Sequence, residues 1–106
     1  MTQEEFKAIL DGVGVPVRYD HGEDGLALPF IYYTFVRGTL LNADNKRFAV
    51  KNIASVSIIT TSKAEMNTIT ARLEDLFSDN DVPFGDPSEG WDDDEKIYLT
   101  TYDMEV

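Results

Sequence analysis

One histidine, no cysteine and twenty carboxylates are the reactive inventory of this chain of 106 residues. His21 stands between Asp20 and Gly22, in a turn-like stretch over 21–25. Imidazole titrates near neutrality, but a lone histidine in a turn reads as a solvated or capping residue and takes no catalytic role. The absence of cysteine removes a thiol nucleophile, a thiolate metal site and a disulfide framework. No Gly-rich phosphate cradle is present. Asp92-Asp93-Asp94-Glu95 invites a calcium reading, yet consecutive acids lack the alternating Asp-x-Asp-x-Asp-Gly spacing, with a distant Glu, that wraps one cation. The run reads as a solvated acidic loop. Nothing places two carboxylates across a cleft, as glycoside cleavage requires. The expectation is a protein that is not an enzyme, with no catalytic residue, no metal and no cofactor.

Two aromatic features have binding readings. Trp91, the only tryptophan, falls in the acidic stretch, where it is either a clip fixing that loop to the domain or an exposed interface anchor. Phe30, Tyr32, Tyr33, Phe35, Tyr98 and Tyr102 could stack bases, as in single-strand binders. With little positive charge nearby, core packing is the better account.

Charge sharpens that choice. Residues 74–106 hold twelve acids and Lys96 alone, a net of −11, while residues 1–73 balance eight acids with eight bases. Nucleic-acid binding is driven by Lys and Arg displacing counterions from phosphates, so specific binding of DNA or RNA is not expected. Residues 1–5 are acidic and lack a secretory pattern, and the longest apolar runs are too short to span a bilayer. The chain reads as soluble, made in the cytosol and not associated with a membrane.

The elements that must position these residues follow from periodicity. Thr2 and Glu5 form a capping-box pattern, and Phe6, Ile9, Leu10 and Val13 follow at helical spacing, with Gly12 or Gly14 as the stop. Val15, Val17 and Tyr19 alternate with polar residues as a short edge strand beside Pro16. A strand over 30–37 is apolar on both faces and reads as covered on both sides. Alternation resumes over 48–61, broken at Ile53 and Ile59, where a bulge or a subunit contact would explain the pattern. Ser62 and Glu65 repeat the capping box, and Met66, Ile69, Leu73, Leu76 and Phe77 form the stripe of a helix over 63–78. A short strand at Val82-Pro83-Phe84, a mobile acidic loop and a final strand over 96–106 complete the chain. The predicted fold is one α+β domain, residues 1–106, with a mainly antiparallel sheet of four to five strands. Both helices pack on one face, in the order α-β-β-β-α-β-β.

Those pieces, in that order, carry a resemblance. Val17-Arg18-Tyr19-Asp20-His21, Leu28-Pro29-Phe30-Ile31-Tyr32-Tyr33, Ala43-Asp44-Asn45-Lys46-Arg47-Phe48 and the aromatic last strand resemble the small tail-completion proteins of long-tailed bacteriophages and prophages. These are also called tail terminator or head-tail joining proteins. The Ala-Asp-Asn-Lys element followed by an aromatic residue, just after an aromatic strand, is the most specific part. The resemblance implies α+β subunits forming a six-fold ring on a finished tail tube, stopping its growth and presenting the surface that the filled head joins. It implies no catalytic residues. Its partners are further copies of the chain, the tail tube protein and a head-tail connector protein. Its place is the virion tail, assembled in the bacterial cytoplasm.

On this sequence the family's ring contacts point to Thr39, Leu40, Leu41, Asn42, Ala43, Asp44, Asn45 and Lys46. Leu40 and Leu41 are apolar in polar company, suiting burial against a partner subunit or under the parent sheet. Glu74, Asp75, Asp92, Asp93, Asp94 and Glu95 are expected either to line the channel, repelling the passing genome, or to dock a basic tube or connector protein. Two other functions remain open: a neighbouring connector component, and an acidic DNA mimic that inhibits a nuclease or repressor.

Overall fold

A computed structural model describes residues 1–20, 27–41 and 47–106, with residues 37–41 and 47–51 described as backbone only. The order is α1 (Gln3–Asp11), β1 (Val17–Tyr19), β2 (Phe30–Leu41), β3 (Arg47–Thr60), α2 (Lys63–Asp79), β4 (Ser88–Asp92) and β5 (Ile97–Glu105). Both helices, the first three strands and the last strand fall where expected, and the chain folds as an α+β protein with two helices and one five-stranded sheet.

Both helix starts are built as the capping patterns require. The Thr2 hydroxyl accepts from the Glu5 amide at 3.1 Å, and the Glu5 carboxylate accepts from the Thr2 amide at 3.3 Å. Ser62 accepts from the Glu65 amide at 3.3 Å. Each satisfies amides that a helix start otherwise leaves unpaired. The α2 end is a Schellman motif with aspartate in the usual glycine place. Asp81 takes φ +56°, the Val82 amide reaches back to the Phe77 carbonyl at 2.8 Å, and the Asp81 amide bonds Ser78.

The strand order is β1-β2-β3-β5-β4. All neighbours are antiparallel except β1 and β2, which run parallel with Val17 opposite Ile31. The sheet is therefore mixed. β2 starts at the same end of the sheet as β1, an arrangement that a short hairpin turn does not produce.

Register shows which residues meet the helices. Ile31, Tyr33 and Phe35 of β2, Ala54, Val56 and Ile58 of β3, and Thr100, Tyr102 and Met104 of β5 share one face. There they close a single core with Phe6 and Leu10 of α1 and Met66, Ile69, Leu73 and Phe77 of α2. Fully burying each large side chain contributes roughly 1.5–3 kcal/mol. Gly12 lets the two helices meet: a Cβ there would lie 3.3 Å from Leu76 and 3.2 Å from the Ile9 carbonyl. Arg72 reaches across from α2 to donate to the Val13 carbonyl at 2.6 Å.

The structure corrects three expectations. The strand at 30–37 is helix-covered on one side only; on the other, Tyr32 and Thr34 are half-buried and Val36 is 57% exposed. Residues 82–84 form no strand: the Val82 amide is still tied to the helix end and Pro83 has no amide to give a ladder. Val82 and Phe84 still anchor to the core. The stretch read as a mobile loop instead contains β4. Of the two explanations for Ile53 and Ile59, a bulge is not found there, since among the described residues the one register shift between β2 and β3 lies at Leu40 and Leu41.

Candidate interaction surface

The acidic run is a hairpin turn. β4 pairs with β5 from Ser88 opposite Thr101 to Asp92 opposite Ile97, and residues 93–96 close the loop. Asp92 organises it: one carboxylate oxygen accepts from the Asp94 amide at 2.9 Å and the Glu95 amide at 3.2 Å, an Asx turn. Lys96 completes the bend at φ +58°. All five β4 residues and residues 93–96 are exposed.

Trp91 is placed as the clip reading expects. Its ring lies 4.5 Å from that of Tyr98 and its indole N–H donates to Asp93 at 3.0 Å, so it clips the hairpin. It also remains 46% exposed. Nearby, the Lys63 ammonium sits 5.9 Å over the Tyr98 ring and 3.9 Å from Glu89.

Glu74 and Asp75 lie elsewhere. Glu74 turns its carboxylate onto the buried Tyr102 hydroxyl, which donates to it at 2.5 Å. Burial, reinforced by this hydrogen bond and the negative charge, pushes the Tyr102 phenol far above its ordinary range. Tyr102 is five β5 residues from Ile97, a separation of about 17 Å along the strand. The candidate carboxylates thus form two groups: a turn of exposed acids at 92–95, and a helix pair in which Glu74 is occupied and Asp75 exposed.

Of the expected ring-contact residues, Thr39, Leu40 and Leu41 belong to β2 rather than to a loop, and Leu40 pairs with Ala49. Asn42, Ala43, Asp44, Asn45 and Lys46 lie outside the described residues, as does His21. The strands around that segment outrun the sheet. β3 pairs with β5 only from Ile53 onward, while its pairing with β2 continues out to Arg47 opposite Leu41. Residues 37–41 and 47–52 therefore form a two-stranded ribbon, about 20 Å along β3.

The ribbon has a charge signature that a division of the chain at residue 73 hides. Residues 37–51 contain Arg37, Lys46, Arg47 and Lys51 against Asp44 alone, a net of +3. The remaining residues hold five bases and nineteen acids, a net of −14. Counting charge by structural element instead of by chain third would have exposed it.

Other concavities are shallow. One of about 450 Å³, between α1 and the end of α2, is lined by Met1, Ile9, Gly12, Leu76 and Asn80 with Glu5 as its one carboxylate. Among the described residues no group of three or more His, Cys, Asp or Glu side chains could hold a metal ion, and no helix is long and apolar enough to cross a membrane. Compared with known families and curated proteins, the chain matches no family model and no curated sequence.

Proposed function

We propose that this chain is a structural subunit of a phage or prophage tail: a tail-completion protein that forms a ring on the finished tube, stops its growth and presents the head-attachment surface. The supporting observation is the division of the molecule into a compact acidic body and a basic two-stranded ribbon that outruns the sheet. A subunit that must contact like copies through two different patches needs that kind of asymmetry. The family resemblance adds to it, because the Ala43-to-Phe48 element follows β2 in the chain and runs into β3, which begins at Arg47. The tube protein and a connector protein are the partners, and the bacterial cytoplasm is the place of assembly.

Deleting the gene from a producing phage tests the reading. Tails should lose uniform length and fail to acquire heads, and the chain supplied in trans should restore both. Neutralising Asp93 and Asp94 together with Asp92→Asn then separates two roles of the acidic turn. Loss of head joining with normal tail length assigns docking, and slowed DNA ejection from complete virions assigns the channel wall. No effect on either removes both roles.

A DNA mimic is the second reading, favoured by the net charge of −11 and by the ordered turn that holds Asp92, Asp93, Asp94 and Glu95. Against it, these four acids crowd one tight turn instead of spacing along a face as phosphates do. Capture of a basic DNA-binding enzyme, lost when the turn is neutralised, would favour the mimic.

A further inference from the structure

We propose that the ribbon of one copy, residues 37–41 and 47–52, docks on the β4–β5 hairpin end of a second copy, head to tail. This rests on the ring reading and names its contact. The ribbon strands carry Arg37, Arg47 and Lys51 along their length, with no acid among residues 37–41 and 47–51. The hairpin end presents Asp92, Asp93, Asp94 and Glu95 with only Lys96 in the same turn. Opposite signs on two patches steer and register an encounter.

Topology prevents one copy from satisfying itself. The ribbon leaves the sheet where β5 finishes, with Ile53 opposite Glu105, whereas the acidic turn lies where β5 starts, with Asp92 opposite Ile97. The two patches are separated by the length of β5, nine residues or about 30 Å. The contact must therefore join different copies, and two unlike patches on one subunit generate a ring or an open chain.

Main-chain groups favour the same arrangement. A two-stranded ribbon is marginal in water by itself. Among the described residues, β1 pairs with β2 only as far as Tyr33, and beyond Asn52, which accepts from the Val106 amide at 2.9 Å, the ribbon has no third strand. At the other end β4 is an edge strand, with Trp91 46% exposed as an apolar anchor. A nucleic acid is the weaker partner for the ribbon, because the body behind it carries −14.

Two charge-reversed variants test the contact: a ribbon variant with Arg37→Glu, Arg47→Glu and Lys51→Glu, and a turn variant with Asp93→Lys, Asp94→Lys and Glu95→Lys, leaving Asp92 to hold the turn. Sedimentation at low salt, alone and with purified tail tubes, should show the natural chain self-associating. Each variant alone should associate at least about tenfold more weakly, and their equimolar mixture should recover. Melting curves verify that both fold. Because the chain lacks cysteine, Lys51→Cys mixed with Asp94→Cys gives a second readout, an expected disulfide between copies. Variants that associate like the natural chain, a mixture that does not recover, no mixed disulfide, or a natural chain monomeric even with tubes would each overturn the proposal. So would DNA binding lost in the ribbon variant while association is unchanged. Complementation separates this contact from the tail reading. If deletion deregulates tails but the ribbon variant rescues them, the contact is wrong and the tail role stands. If charge-swapped assembly holds but deletion leaves tails normal, the tail role is wrong.

Discussion

Helix α2 and strand β4 follow one another in the chain and are held in opposite ways. α2 buries Met66, Ile69, Leu73 and Phe77 on a stripe that its own spacing dictates. β4 buries none of its five residues and exists through its ladder with β5, the Asp92 turn and the Trp91–Tyr98 contact. The difference teaches where binding can reside. The helix-covered half spends its side chains on the core, whereas the hairpin end, needing few of its own for stability, leaves charge and an indole facing outward.

If that division holds, Phe77→Ala should produce the largest loss. Phe77 is buried and its ring meets those of Phe6, Phe84 and Tyr102, so denaturant unfolding should show about 3–5 kcal/mol less stability. A loss near zero would mean that the core is not built around it.

Tyr102→Phe should come next, at about 1–3 kcal/mol, because it leaves the half-buried Glu74 without its donor. Its pH signature has a definite sign. The folded phenol ionises at higher pH than the unfolded one, so folding favours the protonated form. That contribution is complete below about pH 10, where an unfolded tyrosine begins to ionise, and is lost as pH rises further toward the folded value. Melting temperature against pH should fall less steeply on the alkaline side in Tyr102→Phe than in the natural chain. Equal slopes would refute the coupling.

Asp92→Ala should cost about 1 kcal/mol through loss of the turn's two hydrogen bonds, read as a lower melting temperature. Smallest of all, Lys63→Met should change stability by less than about 1 kcal/mol, since its pairing with Glu89 is solvent-exposed. A large effect there would give the hairpin end a stabilising role that the comparison denies it.

The same contrast explains what could be read from sequence. α1, α2 and β5 announce themselves because their periodicity reports a buried face: Phe6 and Leu10, Leu73 and Phe77, Tyr102 and Met104 are all buried. β4 could not, since a strand with no buried residue has no alternation to show. The parallel pairing of β1 was equally silent, because it depends on a link rather than on side-chain pattern. Among the site residues, the exposure of Asp92, Asp93, Asp94 and Glu95 was legible from composition. The capture of Glu74 by Tyr102 was not, since it joins positions 28 residues apart through tertiary packing.

Tail length in electron micrographs of phage made with and without this chain is the most direct measure of the proposed role. The account predicts overlong, variable, headless tails in its absence, and uniform headed tails when it is returned. Tails of normal length, joined to heads without it, would contradict the account.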